Sequence, residues 1–166
     1  AFNIEYWLLE EAKLQRMPKP KSLAGRVGLV TGGAGGIGSA IASKLMSEGA
    51  CVILADIDRK SLDEAVKSFG KTYGKDNVRG VVVDVTSEDA VIAGVNEAVA
   101  EFGGLDIAVN NAGITLAAAV EDTTLDLWNK NMAILGTGYF LVGREAYRLM
   151  KRQGVGGSMI FIGSKN

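Results

Sequence analysis

Histidine is missing from the sequence altogether, and that absence removes whole classes of chemistry. No Ser-His-Asp or Cys-His nucleophile system can be assembled within the chain, and no histidine-ligated zinc site. The single cysteine, Cys51, permits no internal disulfide. Set in an apolar run, it reads as a small buried residue, which fits a reducing, cytoplasmic setting. An excess of either charge is also lacking: 18 basic and 19 acidic residues nearly cancel, so neither a nucleic-acid surface nor a polybasic membrane anchor is expected. No apolar run is long enough to span a bilayer. Glu5, Glu10 and Glu11 interrupt the stretch that a signal peptide would need. Proline occurs twice, as Pro18 and Pro20, whereas glycine occurs 22 times without a collagen-like period. The glycines are therefore expected at particular turns.

Both prolines fall in Met17-Pro-Lys-Pro-Lys21, which marks a linker. Ahead of it, Ile4, Trp7, Leu8 and Leu14 lie near helical spacing, so residues 3–16 are expected to form an amphipathic helix. Residues 1–21 thus read as helix plus linker and residues 22–166 as one domain. Within that domain short β-branched runs alternate with helical stripes. Strands are expected at Val27–Thr31, Cys51–Ala55, Val78–Val83, Ile107–Asn110 and Met159–Ile162. Between them, Ile37, Ala40, Ile41 and Leu45 mark one helix. Leu62, Ala65, Val66, Phe69 and Tyr73 mark the next, with Ser61 and Glu64 as a capping box. Thr86 and Asp89 resemble a cap for the stripe Val91, Gly94, Val95, Ala98 and Phe102. A spacing of three or four from Trp128 through Met132, Leu135, Tyr139, Val142 and Ala146 to Leu149 predicts one long helix facing the core. Strands apolar on both faces and separated by helices require crossover connections. The expected fold is α/β, a doubly wound parallel sheet covered on both sides.

The strongest local signal is Thr31-Gly-Gly-Ala-Gly-Gly-Ile-Gly38, between a predicted strand and a predicted helix. Glycines there let the backbone turn tightly and approach a pyrophosphate, which meets the free N–H groups and positive dipole end of the helix. A nucleoside-triphosphate loop would need lysine after Gly38, where this chain has Ser39. The second strand ends in Asp56, at the distance from the glycines that a ribose-binding carboxylate needs. A carboxylate accepts hydrogen bonds from both ribose hydroxyls and repels a 2′-phosphate, so NAD is expected over NADP. Arg59 is the nearby residue able to soften that preference.

Together with Asp84-Val85 after the third strand, Asn110-Asn-Ala-Gly113 after the fourth and Ser164 closing the fifth, the glycine motif resembles the short-chain dehydrogenase/reductase family. The resemblance spans residues 25–164 and implies a Rossmann-type sheet of order 3-2-1-4-5, here reaching its fifth strand. It implies that Asp84 holds the adenine amino group, that Val85 lines the adenine pocket, and that the Asn110–Gly113 segment supports the sheet and passes under the cofactor ribose. Ser164 matches the serine that hydrogen-bonds the substrate carbonyl and stabilises a developing alkoxide. The implied cofactor-binding set is Thr31, Gly32, Gly36, Ile37, Gly38, Asp56, Ile57, Asp84, Val85, Asn111, Ala112 and Gly113. Ser164 is the catalytic residue, and no metal ligand is expected.

Two features depart from the family pattern. Its tyrosine and lysine acid-base pair would lie beyond Asn166; Tyr147 and Lys151 share the spacing but precede the fifth strand. Counting from Trp128 and Gly138 places Leu135 where many members have a proton-relay asparagine, with Asn131 one turn out of register. The leading segment Glu5-Tyr-Trp-Leu-Leu-Glu-Glu-Ala-Lys-Leu-Gln-Arg16 and Gly163-Ser-Lys-Asn166 are similar to the dehydrogenase half of bifunctional rhamnulose-1-phosphate aldolase/short-chain dehydrogenases. That resemblance implies an upstream aldolase domain, a place in rhamnose catabolism, and a small aldehyde such as lactaldehyde oxidised with NAD. The partners it implies are a small carbonyl or alcohol substrate and further copies of the chain in a homo-oligomer. The chain as given is expected to bind without turning over. Two alternatives stand beside this reading: a non-catalytic dinucleotide-binding sensor, favoured by Leu135, and an S-adenosylmethionine methyltransferase, against which the Asn110–Gly113 segment argues.

Overall fold

A computed structural model describes residues 7–9, 12, 22–114 and 116–164. Five strands form one parallel sheet: β1 (Val27–Thr31), β2 (Cys51–Asp56), β3 (Val78–Val82), β4 (Ile107–Asn110) and β5 (Ser158–Phe161). Their order is β3-β2-β1-β4-β5, as the sequence implies. The helices are α1 (Gly36–Ser47), α2 (Arg59–Tyr73), α3 (Glu88–Phe102), α4 (Leu125–Met132) and α5 (Tyr139–Gln153), with a π-helical segment at Ala133–Gly138 joining the last two.

The continuous apolar character of the strands has a direct cause in their two-residue period. Leu29, Ile53 and Ala108 face one core, where Val91, Val95 and Ala98 of α3 meet Leu141, Val142, Ala146 and Leu149 of α5. Their neighbours Val30, Val52, Leu54, Ile107 and Val109 face the other, covered by Ala42 and Met46 of α1 and Leu62 of α2. β1, β2 and β4 are thus buried on both faces, which an alternating polar pattern could not satisfy. β5 differs. All four of its residues are exposed, Phe161 at 51%.

Several local expectations need correction. The cap of α2 is Asp58, which accepts from the amides of Lys60 (2.9 Å) and Ser61 (3.4 Å); Ser61 lies inside the helix and donates its hydroxyl to Asp58 at 2.9 Å. These hydrogen bonds hold the Asp58 carboxyl below the usual range, so its capping contribution is present at neutral pH and lost in acid as pH falls through the lowered value. Ser87, not Thr86, caps α3, because Thr86 turns back to Asp84. Ile37 is 64% exposed and points away from the core; Gly38, Ala42 and Met46 form the buried face of α1. Cys51 is half-buried, with its thiol 3.7 Å from Asn77 Oδ1 and its pKa raised by burial. The single long helix is in fact broken into α4, the π segment and α5. Trp128, Met132 and Leu135 are exposed, so the inward-facing stripe is confined to Val142, Ala146 and Leu149.

Residues 7–9 and 12 are helical, and Trp7 and Leu8 are exposed; the rest of the expected leading helix and the proline linker lie outside the described residues. Among the described residues no helix is long and apolar enough to cross a membrane, and no group of side chains could hold a metal ion.

One side chain locks β4 into place from the far end of α5. Gln153 accepts from the Leu105 amide and donates to the Leu105 carbonyl, both at 2.8 Å, in the manner of a paired strand. Leu105 is fully buried, so truncation would strand a donor and an acceptor. Gln153→Ala should lower stability by about 2–3 kcal/mol, since each unpaired buried backbone group costs roughly 1–3 kcal/mol. Urea denaturation should show a lower midpoint with an unchanged slope; an unchanged midpoint would mean that water replaces the amide.

Candidate functional site

β1 pairs with β2 on one side and β4 on the other, so the chain reverses its direction of travel across the sheet at this point. The connections leaving β1 and β4 diverge to opposite faces and open a crevice at the carboxyl ends of the strands. The cleft there encloses about 550 Å³, within the ordinary range for a small-molecule site.

The glycine turn forms one wall of this cleft. Gly32 adopts φ +62, a conformation that favours glycine, and Gly35 begins α1 with no side chain capping it. By contrast, α2, α3 and α4 are capped by Asp58, Ser87 and Thr124. The first-turn amides of α1 therefore remain available as donors, with no acidic residue in that turn to neutralise them. A Cβ placed on Gly36 would meet nothing within 4 Å, so this backbone presents open space to the cleft. An anionic group can approach the amides directly.

Asp56 adjoins this turn in the cleft lining, half-buried at the end of β2. Its Oδ2 accepts from the Ala34 amide at 3.1 Å and its Oδ1 from the Asp58 amide at 3.2 Å. One carboxylate thus fixes the glycine turn and keeps lone pairs for two further donors. Asp84 accepts from the Thr86 amide (2.9 Å) and hydroxyl (2.7 Å) through Oδ1, and Oδ2 has no partner among the described residues. Val85 is buried beside it.

The floor is tied to the wall by Asn111 and Thr31. Asn111 Nδ2 donates to the carbonyls of Thr31 (3.0 Å) and Gly32 (3.3 Å). The Thr31 hydroxyl donates to Val109 O and accepts from the amides of Asn111 and Ala112, each at 3.0 Å. Thr31 is 2% exposed and lies beneath the cleft, bracing it without lining it. Gly32, Gly36, Ile37, Gly38, Asp56, Ile57, Asp84, Val85, Asn111, Ala112 and Gly113 all line the cleft. So do Gly35, Val83, Ile114 and Ile134, which the sequence reading passed over. The first three adjoin motif residues and could have been added by adjacency. Ile134 lies on the π segment and had no local signal. Ser164 is exposed beyond β5 and does not line the cleft. Leu135, expected in the core, is 44% exposed, with Cδ2 3.2 Å from where a Gly113 Cβ would stand.

The short chain dehydrogenase family model matches residues 26–166. The chain belongs to this family. Among relatives, it is 45% identical over all 166 residues to the uncharacterized oxidoreductase YuxG of Bacillus subtilis, covering 24% of that protein. It is 37% identical to the NADP-dependent (R)-specific alcohol dehydrogenase of Lentilactobacillus kefiri, with 86% of this chain matching 55% of that one. Among solved structures, NAD⁺-bound xylitol dehydrogenase superposes with a TM-score of 0.80 at 38% identity, over 85% of this chain and 54% of that one. The chain therefore spans about a quarter of YuxG and about half of the other two. The family is one of oxidoreductases that bind a nicotinamide dinucleotide.

Proposed function

We propose that the chain is the dinucleotide-binding part of an NAD-dependent oxidoreductase acting on a small alcohol or aldehyde. The observation that carries this reading is the Asp56 carboxylate, which faces the cleft from the end of β2 while holding the Ala34 amide. With both oxygens already oriented, it can accept from two vicinal ribose hydroxyls, whereas a 2′-phosphate would set charges of one sign about 4 Å apart. Each such pair costs up to about 4 kcal/mol at an effective dielectric constant near 20. The uncapped first turn of α1 suits a pyrophosphate, and the spare Asp84 oxygen suits an exocyclic amine. When bound, the nicotinamide ring supplies a hydride acceptor. The chain's own part is to orient that ring through the Asn111–Gly113 floor and to offer the Ser164 hydroxyl to the substrate oxygen.

A finer reading takes lactaldehyde as the substrate, supplied by an aldolase domain upstream in the same polypeptide. What supports it is the match to YuxG over the whole of this chain, leading segment and proline linker included, within a protein about four times as long. Aldol cleavage yields an aldehyde, and oxidation by NAD consumes one.

Asp56→Asn removes the charge while keeping an oxygen for the Ala34 amide. The unmodified protein should bind NAD at least about tenfold more tightly than NADP, and the variant should narrow that ratio by about tenfold. Dissociation constants for both cofactors decide it. Tighter NADP binding by the unmodified protein would overturn the cofactor assignment.

A further inference from the structure

The backbone leading to Ser164 is held by a closed ring of three hydrogen bonds. The Ile162 amide donates to the Asn110 carbonyl at 2.9 Å, the Tyr139 hydroxyl donates to the Ile162 carbonyl at 2.7 Å, and Asn110 Nδ2 donates to the Tyr139 carbonyl at 3.3 Å. The three residues come from the end of β4, the start of α5 and the exit of β5. Asn110 is 2% exposed and immediately precedes the cleft floor at Asn111. The Tyr139 ring packs 6.2 Å from that of Phe161. Burial pushes the phenol pKa up, which keeps the hydroxyl protonated as a donor.

The exit is also held by the pairing of β5 with β4 and by Ile162, which packs against the core. β5 is exposed along its length, and a Cβ on Gly163 would meet nothing within 4 Å. Among the described residues the Ile162 carbonyl is the last backbone group before Ser164 that a side chain holds, and segments with few contacts open locally at small cost. We propose that Tyr139 is a positioning residue: its hydroxyl, through the Ile162 carbonyl, sets where Ser164 stands relative to the cleft floor that Asn110 anchors. The ring then couples the substrate-side serine to the cofactor-side backbone. The proposal rests on the reading of Ser164 as the group that meets the substrate oxygen.

Tyr139→Phe deletes the hydroxyl and keeps the ring packed on Phe161. In the complete protein with NAD, activity is measured on whichever of lactaldehyde, propane-1,2-diol, xylitol or cyclohexanol the unmodified protein turns over fastest, with Ser164→Ala in parallel. Tyr139→Phe should lower kcat by about tenfold, since modest misplacement of a reacting group has effects of this order. The NAD dissociation constant and the thermal midpoint should not move, while the Gly163 and Ser164 amides should exchange hydrogen faster. Unchanged kcat beside an inactive Ser164→Ala would overturn the positioning role. A large drop in thermal midpoint would make Tyr139 a structural residue only, which also overturns it. Full activity in Ser164→Ala, or no turnover of any of the four compounds by the unmodified protein, would instead overturn the reading of Ser164 and this inference with it.

Discussion

Gly38→Ala should abolish measurable dinucleotide binding and weaken the fold by about 3 kcal/mol, although alanine is the better helix former by roughly 1 kcal/mol. The steric term decides the sign. A Cβ on Gly38 would stand 2.0 Å from the Gly32 carbonyl oxygen and 2.8 Å from Asn111 Nδ2. Neither neighbour can yield cheaply: Gly32 sits at positive φ in the turn, and Asn111 is bonded to the carbonyls of both Thr31 and Gly32. Relief would come by pushing α1 away from the turn, which displaces the first-turn amides that face the cleft. Calorimetric titration with NAD and urea denaturation of the same sample check both halves. Binding within about threefold of the unmodified protein would show that the helix can shift without disturbing the site.

The second large effect belongs to Ser164. Removing a hydroxyl that donates to the reacting oxygen forfeits a hydrogen bond that strengthens as negative charge develops, and losses of roughly a hundred- to a thousandfold in kcat are typical of such groups. Ser164→Ala in the complete protein should show a loss of that order. NAD affinity should be unaffected, because Ser164 lies outside the residues lining the cleft. The fold should be equally indifferent, since the side chain is exposed. Steady-state kinetics with a parallel titration separates the two quantities; a loss of NAD affinity matching the loss of turnover would place Ser164 in the cofactor site instead.

The sheet was legible in the sequence because each buried strand is a continuous apolar run bounded by turn residues, and runs of that kind at crossover spacing admit few topologies. The cleft was legible for a related reason: glycines, Asp56 and the Asn111–Gly113 segment all fall at carboxyl ends of strands, where the topology itself brings them together. Helix starts were less so. Asp58 and Ser61, three residues apart, both offer cap oxygens, as do the adjacent Thr86 and Ser87, and the choice depends on which backbone amides the chain direction presents. Periodicity also misled at the long helix. A three- or four-residue spacing is kept from Trp128 to Leu149, but the π segment at Ala133–Gly138 adds a residue to the turn and rotates what precedes it. Trp128 and Met132 consequently face outward although they share the stripe of Val142 and Ala146. The ring through Tyr139 had no sequence signal at all, since its three members are far apart in the chain and all three of its acceptors are backbone carbonyls, set by position rather than by residue type.

The cleft between the glycine turn, Asp56 and the Asn111–Gly113 floor should receive NAD. Calorimetric titration of NAD and, separately, NADP into the unmodified protein at physiological ionic strength tests it most directly. The expected result is saturable binding of one NAD per chain, with NADP at least about tenfold weaker because of the Asp56 charge. No heat of binding for either cofactor, or a preference for NADP, would contradict it.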